Sequence, residues 1–226
     1  MNFLQRIIGM FIKPDQTTED ISKEPRIEEA LLIVGIYALM VILNTYISTS
    51  HVRIIYNFPG AENLTNMQGI MMAVSLVFSL VLTLVFWPIV TGILHLFSLA
   101  FGGTGKFYPQ MMTEIGHTYL PKIIAVAISA LLLTQAPVVT IELTSQGLQS
   151  LTAMDAINQF YSSPFYLAST IVTLLGLLYS CIMGVFALKN GEKLNLTQSA
   201  IIIGVSLAVY LIITYGSTYV LRLMGF

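Results

Sequence analysis

Four side chains stand out as candidates for chemistry: His95, Glu114, His117 and Lys122. Histidine changes charge near neutral pH, and a carboxylate shielded from water can be moved toward the same range, so the group could relay protons or bind an ion. Glu114, His117, Thr118 and Lys122 recur at i, i+3, i+4 and i+8, which places them on one stripe of a helix. A metal site has weaker support. Glu114-x-x-His117 offers two ligands one turn apart, and His95 is the obvious third. The plainer reading is a salt-bridged stripe at a membrane boundary whose long side chains reach toward headgroups, and it outweighs the other two.

Gly102-Gly103-Thr104-Gly105-Lys106 has the glycines of a phosphate-binding loop but not its frame. Position 100, where the first glycine belongs, is alanine, and Phe107 follows the lysine where Ser or Thr is needed. A helix rather than a strand leads into it, so a tight turn is expected. No catalytic motif is present: HExxH, paired intramembrane aspartates and GxSxG are all missing, so no enzyme activity, metal or cofactor is expected. Asn63-Leu64-Thr65 and Asn195-Leu196-Thr197 match the glycosylation acceptor pattern, a short match that chance often supplies.

The elements that carry these residues are set by composition. The chain has 226 residues, 56% hydrophobic and 9% charged, with mean hydropathy +0.82, which suits lipid rather than water. A net charge of −1 provides no basic field for nucleic acid. Charged residues cost about 2.5–3.5 kcal/mol at the centre of a span, so charge-free windows mark the crossings. Five such windows give an all-α bundle with spans near 30–48, 70–99, 119–136, 165–188 and 200–220. The window at 63–105 could hold a hairpin, but its apolar part is too short for two crossings, so Pro88 is expected inside one long helix.

With five spans, eight of the ten Lys and Arg residues fall on one side, which predicts a cytoplasmic N-terminus and an outside C-terminus. Residues 1–29 then form a cytoplasmic segment ahead of the membrane domain, 30–226, and no cleavable signal peptide is expected. In residues 1–13, Phe3, Leu4, Ile7, Ile8, Phe11 and Ile12 share one helical face while Gln5, Arg6 and Lys13 lie elsewhere. That pattern predicts a helix in the membrane plane, with a short buried packing helix as the alternative. Leu148, Leu151, Met154, Ile157 and Tyr161 suggest a second interfacial helix, and Gly35, Gly92, Gly176, Gly184 and Gly204 suggest close helix approach.

Three runs together resemble the Yip (Ypt/Rab-interacting protein) domain family of five-span membrane proteins. Pro14-Asp15 followed by Glu24-Pro25 is similar to the family's lead-in to the first span. Gly102-Gly103-Thr104-Gly105-Lys106-Phe107 resembles its Gly-Gly-x-Gly-x-Phe loop, and the run from Gly116 through Tyr119 to Pro121 its Gly-Tyr-x-x-x-Pro pattern. His117 stands where an aromatic residue is usual, and the Asp-Leu-Tyr-Gly-Pro run of many eukaryotic members is missing between Asp15 and Glu28. For eukaryotic members the resemblance implies small-GTPase binding and vesicle formation. The short N-terminal segment looks more like prokaryotic members, which points to a prokaryotic cell membrane.

The expectation is therefore a non-enzymatic scaffold that engages lipids or a protein partner at the cytoplasmic face, with homo-oligomerisation open. Gly102, Gly103, Gly105, Lys106, Phe107, Tyr119 and Pro121 form the candidate interaction loop. The alternative is a small transporter or channel using the His/Glu group.

Overall fold

A computed structural model describes residues 1–58, 62–144 and 158–216. The order is α1 (Phe3–Ile12), α2 (Pro14–Lys23), α3 (Ile27–Ser50), β1 (Val52–Asn57), α4 (Glu62–Ala100), α5 (Met112–His117), α6 (Leu120–Leu133), β2 (Val139–Thr144), α7 (Pro164–Gly191) and α8 (Leu196–Leu211). Five segments are long and apolar enough to cross a membrane: Ile27–Ser50, Met67–Ala100, Phe107–Leu133, Pro164–Gly191 and Leu196–Thr214. The 63–105 window is indeed one helix, α4, which runs through Pro88. The third crossing starts earlier than expected, at Phe107, with Tyr108 extended (φ −120, ψ 137) in its opening turn and Thr118 and Tyr119 interrupting the helix again before α6. Residues 217–220 of the expected fifth span, the Asn63 side chain, and all but Tyr161 of the second interfacial candidate lie outside what is described.

The chain divides into two compact units. The first comprises Met1–Val34, Phe86–Leu120 and the described residues from Leu178 onward. In it α1 and α2 form a helical hairpin. Asn2 caps α1 by accepting from the Gln5 backbone N–H at 2.9 Å while Gln5 accepts from the Asn2 N–H, satisfying two donors that a helix start leaves open. Pro14 opens α2, where its missing N–H costs nothing. A Cβ at Gly9 would collide with the Thr17 side chain, so the glycine lets the two helices close. Gly116 approaches Ala30 in the same way, and Gly184 approaches Ile203.

The second unit, Gly35–Val85 and Pro121–Leu177, holds a feature that the all-helical expectation omitted. Strands β1 and β2 pair in parallel, from Val52 opposite Val139 to Asn57 opposite Thr144. Both are too short to register as spans, and their partner is distant in sequence. Beside them Leu133, Ala136, Val139 and Phe160 form an apolar cluster with Ile47, Val52 and Tyr166 around it. Asn44 donates to the Ser129 hydroxyl at 2.9 Å, joining α3 to α6. A Cβ at Gly176 would collide with Ala125, so α7 meets α6 at a small-residue crossing. A Cβ at Gly35 or Gly204 would meet nothing within 4 Å and one at Gly92 only an ordinary contact, so among the described residues the expected close approach does not occur at those three.

Candidate functional site

The charged groups of the first unit are joined into three connected nodes. The first centres on Arg6, which is fully buried although it belongs to a ten-residue surface helix. Its guanidinium donates to Asp20 Oδ2 at 2.9 Å, to Glu29 Oε2 at 3.0 Å and to the Glu24 carbonyl at 3.0 Å. A planar fork with five donors suits this geometry, which ties α1 to α2, to the link after it and to the first turn of α3. The Met1 ammonium adds a 2.8 Å contact to Asp20. Burial pushes the Asp20 carboxyl up, but hydrogen bonds from the ammonium and Arg6 outweigh it and hold the group below the usual carboxylate range.

His117 extends this node. Its Nδ1 lies 2.8 Å from the Thr113 carbonyl, an acceptor, so Nδ1 must carry the hydrogen. In the neutral ring Nε2 then presents a lone pair toward Glu29 Oε2, 3.4 Å away, and makes no hydrogen bond.

The second node centres on Glu192, fully buried in the turn between α7 and α8. One carboxylate oxygen pairs with His95 Nδ1 at 2.5 Å; the other accepts from the Gly105 N–H at 3.1 Å, and the Glu192 carbonyl accepts from Thr104 at 2.9 Å. The remaining loop amides are also used: Gly102 donates to Leu99, Gly103 to Ser98 and Lys106 to the Gln110 side chain. A phosphate-binding loop needs those N–H groups free for its anion; here an internal carboxylate takes the anion's place. Gly102 has φ +86, the tight turn expected of it. Glu114, also fully buried, lies against the Gly191 backbone and beside Ser22.

The third node straps α2 to the end of α7. Lys189 Nζ sits 2.7 Å from both Asp15 oxygens, and the Asn190 amide donates to the Asp15 carbonyl, to Asp15 Oδ1 and to the Thr18 hydroxyl. Hydrogen bonds from Lys189 and Asn190 hold the Asp15 carboxyl below its ordinary range.

The expected polar group is thus dispersed. His95 pairs with Glu192, His117 with Thr113, and Glu114 sits at Gly191; no hydrogen bond or ion pair joins any two of these three among the described residues. Lys122 lies half-buried in the second unit. Of the expected interaction loop, Gly103 is packed on Ser98 and Gly105 on Gly191, while Tyr119 and Pro121 are buried. Gly102, Lys106 and Phe107 are exposed, as is Tyr108 at 63%. Arg6, Glu29 and Glu192 were not singled out by spacing. The available signal was that each is a charge within or next to an apolar segment, where an unpaired charge is costly.

Five segments long and apolar enough to cross a membrane define a multi-pass helical membrane protein. The Yip1 domain matches residues 8–218, and the chain belongs to that family. It is 30% identical over 128 residues to an uncharacterised protein of Methanocaldococcus jannaschii, a match covering 56% of this chain and 86% of the relative. No solved structure matches.

Proposed function

We propose that the protein is a non-enzymatic scaffold in a prokaryotic cell membrane, presenting a fixed polar platform to a protein partner at the cytoplasmic face. One observation supports this reading: Arg6, Asp15, Asp20, Glu29, Lys189 and Glu192 are engaged in holding the α1–α2 hairpin, the glycine loop and the α7–α8 turn together. A transporter would need such groups to face one another along a path; His95 and His117 are bonded elsewhere, and neither is bonded to Glu114, whose buried carboxyl oxygens make no hydrogen bond among the described residues. The exposed run Lys106-Phe107-Tyr108 is the natural contact edge, since aromatic and cationic side chains dominate binding energies at interfaces.

The test pairs two variants. Tyr108→Ala should weaken co-purification of the native partner from its own membranes. His117→Phe should leave it intact, because Glu29 keeps its 3.0 Å bond to Arg6 and an aromatic ring replaces an aromatic ring. A proton or ion flux in proteoliposomes that His117→Phe abolishes, with folding intact, would reverse the preference in favour of transport.

A further inference from the structure

The polar side of α1 is turned inward, which leaves its outward face without charge. Leu4, Ile8 and Ile12, at i, i+4 and i+8, are 68%, 58% and 69% exposed, and Met1 and Gln5 border them. Arg6, the helix's one charged residue, is consumed by Asp20 and Glu29, and α1 contains no acid. A helix of a water-facing domain would show the opposite rotation, with arginine outside and leucine and isoleucine packed.

A second observation says what covers the stripe. Phe11, in the last turn of α1, stacks on Tyr179 with ring centroids 6.0 Å apart and planes 12° apart, and its carbonyl accepts from the Tyr179 hydroxyl at 2.9 Å. Tyr179 lies inside the crossing segment Pro164–Gly191, twelve residues before its end. Its helix neighbours Leu178 and Ile182 are 40% and 51% exposed, an apolar surface that a membrane-crossing helix offers to acyl chains. Helix α1 is therefore held against the side of a span rather than beyond its end, and its bare stripe continues a lipid-exposed surface.

We infer that α1 lies in the membrane interface with Leu4, Ile8 and Ile12 inserted among lipid acyl chains, its position fixed from within by Arg6 and Tyr179. The occupant of this face is lipid, not a soluble partner or a second copy. The inference deepens the scaffold reading by assigning one face of the platform to the bilayer. It rests on that reading only for its place in the function.

The full chain carrying Cys181→Ser is reconstituted in phosphatidylcholine–phosphatidylglycerol nanodiscs. Single cysteines replacing Leu4, Ile8, Ile12 or the exposed Glu19 carry a nitroxide label. Collision with oxygen, which concentrates in lipid, is compared with collision with a water-soluble nickel chelate. Positions 4, 8 and 12 should favour oxygen over nickel several-fold relative to position 19. Equal nickel access at 8 and 19 would overturn the inference, because the stripe would face water. Low collision with both reagents at position 8 would also overturn it, because protein would cover the stripe. Lipid access together with loss of partner capture would reject the scaffold reading and leave the lipid contact standing.

Discussion

Replacing Arg6 with methionine keeps most of the stem's volume but removes the guanidinium that three acceptors share. Asp20 retains the Met1 ammonium and is partly exposed, so it loses least. Glu29 is only 8% exposed at its side chain, and the cation left to it is Arg26 at 3.5 Å, since the neutral His117 ring 3.4 Å away turns a lone pair rather than a hydrogen toward it. Removing one partner of a buried pair costs about 3–5 kcal/mol, and the residual Arg26 contact argues for the lower end. The loss falls on docking of the hairpin rather than on the whole fold, because α1 is held by this node and by Tyr179. At about 1.4 kcal/mol per tenfold, roughly 3 kcal/mol raises the undocked population about a hundredfold. Amide hydrogen exchange of the full chain in nanodiscs reads that population directly. Residues 6–12 should exchange about two orders of magnitude faster, while α6 around Ser129, in the other unit, keeps its wild-type rate. Arg6→Lys should fall between, since an ammonium keeps the charge but not the fork. Exchange in α1 within about threefold of wild type, less than 1 kcal/mol, would show that Arg6 does not hold the hairpin.

Gly105→Ala should destabilise the protein by about 1–3 kcal/mol in chemical or thermal unfolding, because the new Cβ meets the Gly191 backbone carbonyl, which cannot rotate away. Gly35→Ala, where nothing lies within 4 Å, should be neutral or stabilising by roughly 0.5–1 kcal/mol. Hairpin docking should depend on pH through Asp15 and Asp20, whose folded-state values are both lowered. Their contribution is full above the unfolded value of about 3.9 and is lost as pH falls through the lower folded values, so exchange of α2 relative to its intrinsic rate at each pH should be flat from pH 7 to 5 and rise below about 4. Asp15→Asn should shrink that rise. Cysteines placed at Lys106 and Glu142 in a Cys181→Ser background should label from opposite faces of the membrane; labelling from the same face would refute the five-span orientation.

The crossings were legible because the property that defines them is local. A charge in a hydrocarbon core is expensive, so the gaps between charges outline the helices, and even the 39-residue α4 could be read as one element despite Pro88. Two helix starts rest on equally local pairs that the reading of the sequence passed over: Asn2 with Gln5 and Asn195 with Gln198 are three apart, and each pair forms a reciprocal cap. Strands β1 and β2 were not legible. Val52, Ile54 and Tyr56 alternate with more exposed residues, but six residues of alternation mean little until the parallel partner at 139–144 is known.

The site divides along the same line. Helical spacing placed Glu114 and His117 one turn apart, as they are on α5, but the stripe it drew on to Lys122 is interrupted at Thr118 and Tyr119, and it could not supply partners across the fold. His95 and Glu192 are 97 positions apart, and Asp15 and Lys189 are 174 apart. The glycine loop shows what this leaves out. Read alone, its glycines suggest room for a ligand's phosphate, since glycine permits backbone N–H groups to converge on an anion. In the fold the anion is Glu192, and the absent side chains make room for backbone: a Cβ at 103 would meet the Ser98 carbonyl and one at 105 the Gly191 carbonyl. The same residue types therefore serve opposite ends depending on whether the chain supplies its own carboxylate. Glu192, one position beyond the end of α7 and four beyond its apolar run, was the residue in the sequence that decided between them.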